Sequence, residues 1–179
     1  MPQYKQFCRD VTQTGVLRHL MVVGVADVAD DELYRKHAED LTRFATGLVG
    51  SDHAADVVSE AVLGCLGSPR WSKVTAKRSY LYRSVYNEAA RFHRSSGRRI
   101  ARERRSLSPE TVELPEIRPE VLAAVARLSI RQRAVIVLTY WDDLDPGSIA
   151  GLLDISEGSV KRHLARARSR LKEALDADG

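Results

Sequence analysis

The sequence predicts an all-α protein of two small helical domains joined by a flexible linker, the C-terminal one a helix-turn-helix. Three observations carry this expectation. Apolar residues recur at helical spacing through most of the chain, and no segment of useful length alternates with the period of a strand. Between two such helical regions, residues 106–119 shift to serine, proline and glutamate, with Pro109, Pro115 and Pro119 at intervals and no apolar stripe. The expected division is an N-terminal extension over residues 1–32, a helical domain over 33–97, a basic and then Pro/Glu-containing linker over 98–118, and a second domain over 119–179.

The extension carries a short apolar run, residues 20–26, behind Arg18 and His19. Interrupted by Gly24, it lies at the bottom of the range for a signal peptide and far below a membrane span, so no membrane insertion is expected. The extension reads as partly disordered or a short helix, with Met21 as an alternative start. Leu33, His37, Leu41, Phe44 and Leu48 then step along one helix face, and Gly50, Ser51 and Asp52 supply a stop followed by a new cap. In the next helix Ala54, Val57, Val58, Ala61, Val62 and Cys65 face inward, which leaves Asp52, Asp56, Ser59 and Glu60 as an exposed acidic face. Gly67, Ser68 and Pro69 break the pattern, and residues 70–77 read as a polar loop with one large aromatic, Trp71.

A third helix is expected at about residues 79–93. Steps of about 100° gather Leu81, Val85, Ala89 and Phe92 on one side and Tyr80, Arg83, Asn87, Arg91 and Arg94 on the other. An aromatic, an amide and three guanidinium groups form a mixture that stacks on unpaired bases, reads base edges and holds phosphates. The cations continue through Arg98, Arg99, Arg102, Arg104 and Arg105, a density that repels itself unless solvated or paired with an anion.

The second domain opens at Pro119, with Val121, Leu122, Val125 and Leu128 packing. Ser129 and Gln132 have the spacing of a capping box, and Val135, Ile136, Leu138 and Tyr140 continue the apolar face. Asp145 and Pro146 then start a short helix with a cap and a first-turn proline, with Ile149, Leu152 and Leu153 on one face. Asp154 and Ile155 make a bend, and Ser156 caps a last helix in which Val160, Leu164, Ala167 and Leu171 form a stripe. Ser159, Arg162, Arg166 and Ser169 lie opposite, near the end at which a recognition helix meets base edges.

Composition narrows the function classes. With 44% hydrophobic and 29% charged residues the chain is ordinary for a globular protein, and its net charge of +4 understates how strongly the arginines cluster. Cys8 and Cys65 make neither a disulfide framework nor a metal pair, which favours a reducing cytoplasm. His19, His37, His53, His93 and His163 are scattered, and neither a phosphate-cradling glycine loop nor a nucleophile in a recognisable turn is present. No enzyme activity, metal or cofactor is expected.

Residues 33–175 resemble a bacterial sigma factor of the extracytoplasmic-function group, a member of the sigma-70 family that keeps only regions two and four. LSIRQRAVIVLTYWDDL followed by IAGLLDISEGSVKRHLARARSRL is similar to region four, and LYRKHAEDLTRFATGLVGSDHAADVVSEAVLGCL with YLYRSVYNEAARFHR to region two. The resemblance implies that Ser159, Lys161, Arg162 and Arg166 approach the minus-35 promoter element. It implies that Tyr80, Arg83, Asn87, Arg91 and Arg94 meet the minus-10 element, with the loop around Trp71 holding a flipped base of the unpaired strand. Asp56, Ser59 and Glu60 are implied to dock on the clamp helices of the largest subunit of core RNA polymerase, with the flap as a second polymerase contact. An anti-sigma protein is an implied partner, alongside duplex and single-stranded promoter DNA. Tyr80 stands where the family usually has tryptophan, Ser59 where it has glutamine, and Arg91 where an acid is common; Asp145 to Ser148 and Arg162 also depart from the pattern. The departures fall among base-reading positions, so no particular promoter sequence is implied. The rival reading is a stand-alone helix-turn-helix regulator with an N-terminal sensing or dimerisation domain, which leaves the cationic, aromatic face of the third helix without a use.

Overall fold

A computed structural model of the protein describes residues 28–103 and 119–177. Their regular structure is seven α-helices and one short 3-10 turn, with no strand among the described residues. The helices are α1 (Val28–Val49), α2 (Ser51–Leu66), α3 (Lys77–Glu103), α4 (Pro119–Ala126), α5 (Ile130–Tyr140), α6 (Pro146–Leu153) and α7 (Glu157–Ala177); the 3-10 turn is Trp71–Lys73. The run at residues 20–26, Arg104, Arg105 and the Pro/Glu stretch up to residue 118 lie outside the described residues. Two compact units divide within α3, between Ala89 and Ala90.

The first unit is an α1–α2 hairpin with the start of α3 packed on it. Leu41, Phe44 and Leu48 of α1, Val58 and Val62 of α2, and Leu81, Tyr82 and Val85 of α3 are buried together. Phe44 and Tyr82 meet with ring centroids 5.3 Å apart at 45°. Each buried large apolar side chain contributes roughly 1.5–3 kcal/mol, so this cluster outweighs the mutual repulsion of the cations along α3. Helical spacing named Leu81 and Val85 but not Tyr82, which sits one step round the same stripe and is among the largest fully buried side chains.

Several boundaries differ from the sequence reading, each for a local reason. Helix α1 starts at Val28, earlier than residue 33, because Asp30 is buried and ion-paired instead of belonging to an extension. Helix α3 starts at Lys77 and continues through residues 98–103, which were expected in the linker. The α1–α2 junction is capped by backbone geometry: Gly50 is the N-cap of α2 at φ 86° and ψ 165°, with no side-chain cap, and Ser51 Oγ instead donates to Asp52 Oδ1 at 3.1 Å. Gly50 N–H closes α1 on Thr46 O at 2.9 Å.

The second unit packs α4, α5 and α6 around α7. Helix α5 is deeply covered, with Ala134 to Leu138 all buried. The capping box forms as read: Gln132 N–H donates to Ser129 Oγ and Ser129 N–H donates to Gln132 Oε1. That same Oε1 accepts from Arg170 Nη1 at 3.0 Å, which ties α7 to the start of α5. Tyr140 does not continue the apolar face: it is 56% exposed, and its phenol oxygen accepts from Arg168 Nε at 2.7 Å.

Adding a Cβ at Gly50 meets no atom within 4 Å, so any cost of Gly50→Ala arises from the backbone conformation alone, which only glycine adopts readily. The variant is expected to lose about 1–3 kcal/mol. Gly64→Ala, in an open helical position of α2, is expected to gain roughly 0.5–1 kcal/mol. Thermal unfolding of the two variants therefore moves Tm in opposite directions.

Candidate nucleic-acid interface

In the second unit the chain assembles a helix-turn-helix from strictly local signals. Asp145 caps α6, its Oδ1 accepting from Gly147 N–H at 2.8 Å and Ser148 N–H at 3.0 Å, with the Ser148 hydroxyl on Oδ2. The Ser148 hydroxyl and these amides hold the Asp145 carboxyl below its usual range. Helix α6 ends at Asp154, a non-glycine residue in the left-handed region at φ 57°, and Ile155 N–H returns to Ala150 O at 3.2 Å. Aspartate tolerates this conformation better than most side chains, which makes the sharp turn possible without glycine. Ser156 then caps α7, accepting from Ser159 N–H at 3.2 Å.

Helix α7 is fixed by Val160, Leu164 and Ala167, buried against the core, together with Ile149, Leu152 and Leu153 of α6. Arg162 and Arg166 are exposed on the opposite side. Ser159 is half-buried and held from both directions, its hydroxyl 2.9 Å from Ser156 Oγ and accepting from Arg162 Nη2 at 3.4 Å. Lys161 Nζ pairs with Glu157 Oε1 at 2.6 Å. With side chains 64% and 53% exposed the pair is weak, roughly 0.3–0.5 kcal/mol, and a phosphate can displace it. The remaining cations are not equivalent: Arg168 is held by Tyr140 and Arg170 by Gln132, so they lock α7 in place while Arg162 and Arg166 point outward.

In the first unit α3 displays Tyr80 and Arg83, both half-buried, and Asn87, exposed; Arg91 and Arg94, further along the helix, are exposed. The Arg83 guanidinium lies 5.7 Å from the Tyr80 ring centroid, within reach of a cation–π contact. Trp71, expected in a polar loop, is buried. Its side chain is packed in the 3-10 turn with 5% of its surface exposed, 6.0 Å from the Tyr80 ring and under the Lys77 ammonium at 4.8 Å. Lys77 in turn forms an ion pair with Asp30 Oδ1 at 2.7 Å. Sequence periodicity did not single out Lys77 or Asp30, and 47 positions of separation leave no local signal that joins them. On α2, Asp52, Asp56 and Glu60 are exposed, as the helical spacing requires, whereas Ser59, expected on the same face, is half-buried.

Among the described residues no group of three or more His, Cys, Asp or Glu could hold a metal, and no helix is long and apolar enough to cross a membrane.

Comparison with known proteins matches two successive parts of the chain. The family model for Sigma-70 region 2 matches residues 33–99, and that for Sigma-70, region 4, matches residues 118–171. The chain is 29% identical over 161 residues to the RNA polymerase sigma-E factor of Streptomyces antibioticus, covering 82% of this chain and 84% of that protein. It is 32% identical over 157 residues to the ECF RNA polymerase sigma factor SigL of Mycobacterium tuberculosis, covering 82% of this chain and 89% of SigL. Among solved structures, the sigma factor RpoE in complex with the anti-sigma factor NepR from Bartonella quintana shares the fold with a TM-score of 0.59 at 22% identity, covering 83% of this chain and 97% of RpoE. CnrH in complex with the cytosolic domain of CnrY also has a TM-score of 0.59, at 21% identity, covering 97% of each chain.

Burial first, and then the guanidinium groups of Arg131, Arg162 and Arg166, hold the His163 imidazole below its usual value. The folded form therefore resists protonation more than the unfolded chain, which takes up the proton near pH 6.5. The contribution is fully present above about pH 6.5 and is lost as pH falls through the lower folded value. Calorimetry of the second unit's transition between pH 7.5 and 5 should show Tm falling with pH, with a shallower slope in His163→Gln.

Proposed function

This chain belongs to the sigma-70 family and is an extracytoplasmic-function sigma factor, directing RNA polymerase to promoters in transcription initiation, and from that premise we infer how its two units divide the task. The observation that carries the inference is the repetition of one design. Each unit buries one stripe of a cationic helix and leaves the opposite face, Ser159/Arg162/Arg166 on α7 and Tyr80/Arg83/Asn87 on α3, at or near the surface.

Helix α7 enters the duplex major groove at the minus-35 element. Arg162 and Arg166 supply forked donors for guanine edges and phosphates, Ser159 a short polar contact, and Lys161 a phosphate contact once released from Glu157. Helix α3 meets the minus-10 element, where opened bases offer π faces to Tyr80 and polar edges to Asn87. Arg83, Arg91 and Arg94 track the backbone. Capture of unpaired bases offsets the few kcal/mol needed to unstack them, which drives opening without covalent chemistry. The loop around Trp71 borders this face, and the buried indole supports it from behind.

The exposed acidic face of α2, Asp56 and Glu60 with Ser59 beside them, is the docking surface for the clamp helices of the polymerase, with the flap as a second contact. An anti-sigma protein is the further partner, as for the Bartonella sigma factor, and would act by covering these same faces. The expected location is the cytoplasm, where polymerase and DNA are. The region-two part over residues 33–97 and the region-four part over 119–179 take one DNA contact each, and the expected linker over 98–118 is shortened at its start by α3, which runs to Glu103. No catalysis is assigned to the chain itself. With both halves matched to one family, the stand-alone regulator has no remaining support.

The test is transcription from genomic DNA by core polymerase with and without the chain. New start sites should appear with it, and their complete absence at every template would sink the reading. At such a promoter, Arg162→Ala or Arg166→Ala should weaken holoenzyme binding to the upstream duplex by about 1–3 kcal/mol for a base contact and flatten its salt dependence. Asn87→Ala should leave upstream binding unchanged and lower the fraction of open complex, read by permanganate reactivity of unpaired thymines.

A further inference from the structure

Helix α3 begins unfavourably. Lys77 and Arg78 occupy its first turn, where the positive end of the helix dipole repels cations, and no acid lies in that turn. The compensating charge comes from the far end of the first unit: Asp30, in the first turn of α1 and only 6% exposed, reaches Lys77 Nζ at 2.7 Å. The same ammonium lies 4.8 Å from the centroid of Trp71. The indole Nε1–H is buried and has no hydrogen-bond partner among the described residues, so no hydrogen bond through it fixes the ring. Packing, Lys77 on one side and Tyr80 at 6.0 Å on another hold it. Tyr80 in turn carries Arg83 at 5.7 Å. A carboxylate, an ammonium, an indole, a phenol and a guanidinium thus stand in one continuous series, and its last two members face the proposed site of the unpaired strand.

We propose that Asp30 and Lys77 are positioning residues for promoter opening: their ion pair fixes the Trp71 turn and thereby the aim of Tyr80 and Arg83 at the unpaired bases. The inference rests on the assignment of Tyr80 and Arg83 to the minus-10 element. Neither Asp30 nor Lys77 touches DNA in this arrangement. Displacing a bound base by a fraction of its contact distance is enough to lower capture severalfold. The pair is partly buried and hydrogen-bonded, so neutralising Asp30 takes from the Lys77 ammonium the carboxylate that holds it beside the indole.

The experiment uses holoenzyme reconstituted from core polymerase and the full chain at a promoter the unaltered chain opens. Open complex is read by permanganate and core affinity by separate titration. Asp30→Asn and Lys77→Gln are each expected to lower opening about threefold to tenfold with core affinity retained, and Asp30→Glu to keep most of the activity. Asp30→Asn added to Tyr80→Ala should cost little more than Tyr80→Ala alone, because both act through the same ring. Normal opening by both charge variants, a parallel loss of core affinity, or a full additional loss on top of Tyr80→Ala would overturn the proposal. If Tyr80→Ala itself opens normally, the assignment of Tyr80 fails and takes the inference with it; if Tyr80→Ala is defective while both charge variants are normal, only the inference fails.

Discussion

Leu81, Tyr82, Val85 and Ala89 on α3, and Val160, Leu164 and Ala167 on α7, are buried, and everything the two helices can do to nucleic acid follows from that burial. A helix with cations on one side has no preferred orientation in water. Sealing its apolar stripe into a core fixes which way the guanidinium groups point. The cost of crowding positive charge is then carried by packing. This is also why the two cationic faces need two cores: one helix stripe orients one face.

Within that constraint the arginines of α7 sort themselves by their partners. Arg168 and Arg170 are held by Tyr140 and Gln132 and bind the helix to α5, whereas Arg162 and Arg166 remain outward. The shared Gln132 oxygen is economical, since it closes the α5 cap and anchors α7 at once. Such an arrangement ties α7 to α5 at two points, and donors carried on a tethered helix lose less freedom on binding. Lys161, in a solvent-exposed pair with Glu157, is the adaptable member of the same face.

The first unit solves a different problem. The proposed DNA-contacting face of α3 lies near a turn, and a turn next to a helix start rich in cations needs tethering. Asp30 supplies the tether from across the fold, and Trp71 fills the space beneath as a buried spacer. In the sequence Trp71 reads as the one large aromatic of a polar loop, and the family resemblance implies that this loop holds a flipped base. In the structure Trp71 is covered and packs beside Tyr80, whose ring is the more exposed of the two.

The sequence by itself determined the all-helical class, the helix-turn-helix and its caps at Asp145, Ser129 and Ser156, and the separation of Arg162 and Arg166 from the Val160 stripe. These rest on interactions between residues two to four positions apart, which local spacing specifies completely. The same spacing laid out Tyr80, Arg83 and Asn87 on one side of α3 and Asp56 and Glu60 on one side of α2. Only the tertiary structure decided that Asp30 belongs to the core of α1, that Lys77 pairs with it, that Trp71 is covered, that Tyr140 is exposed beside Arg168, and that Gln132 accepts from Arg170. Each of these joins residues far apart in the chain or depends on what happens to cover a side chain. Periodicity names the face a residue lies on, but whether that face meets water, a ring or an opposite charge is settled only when the helices pack.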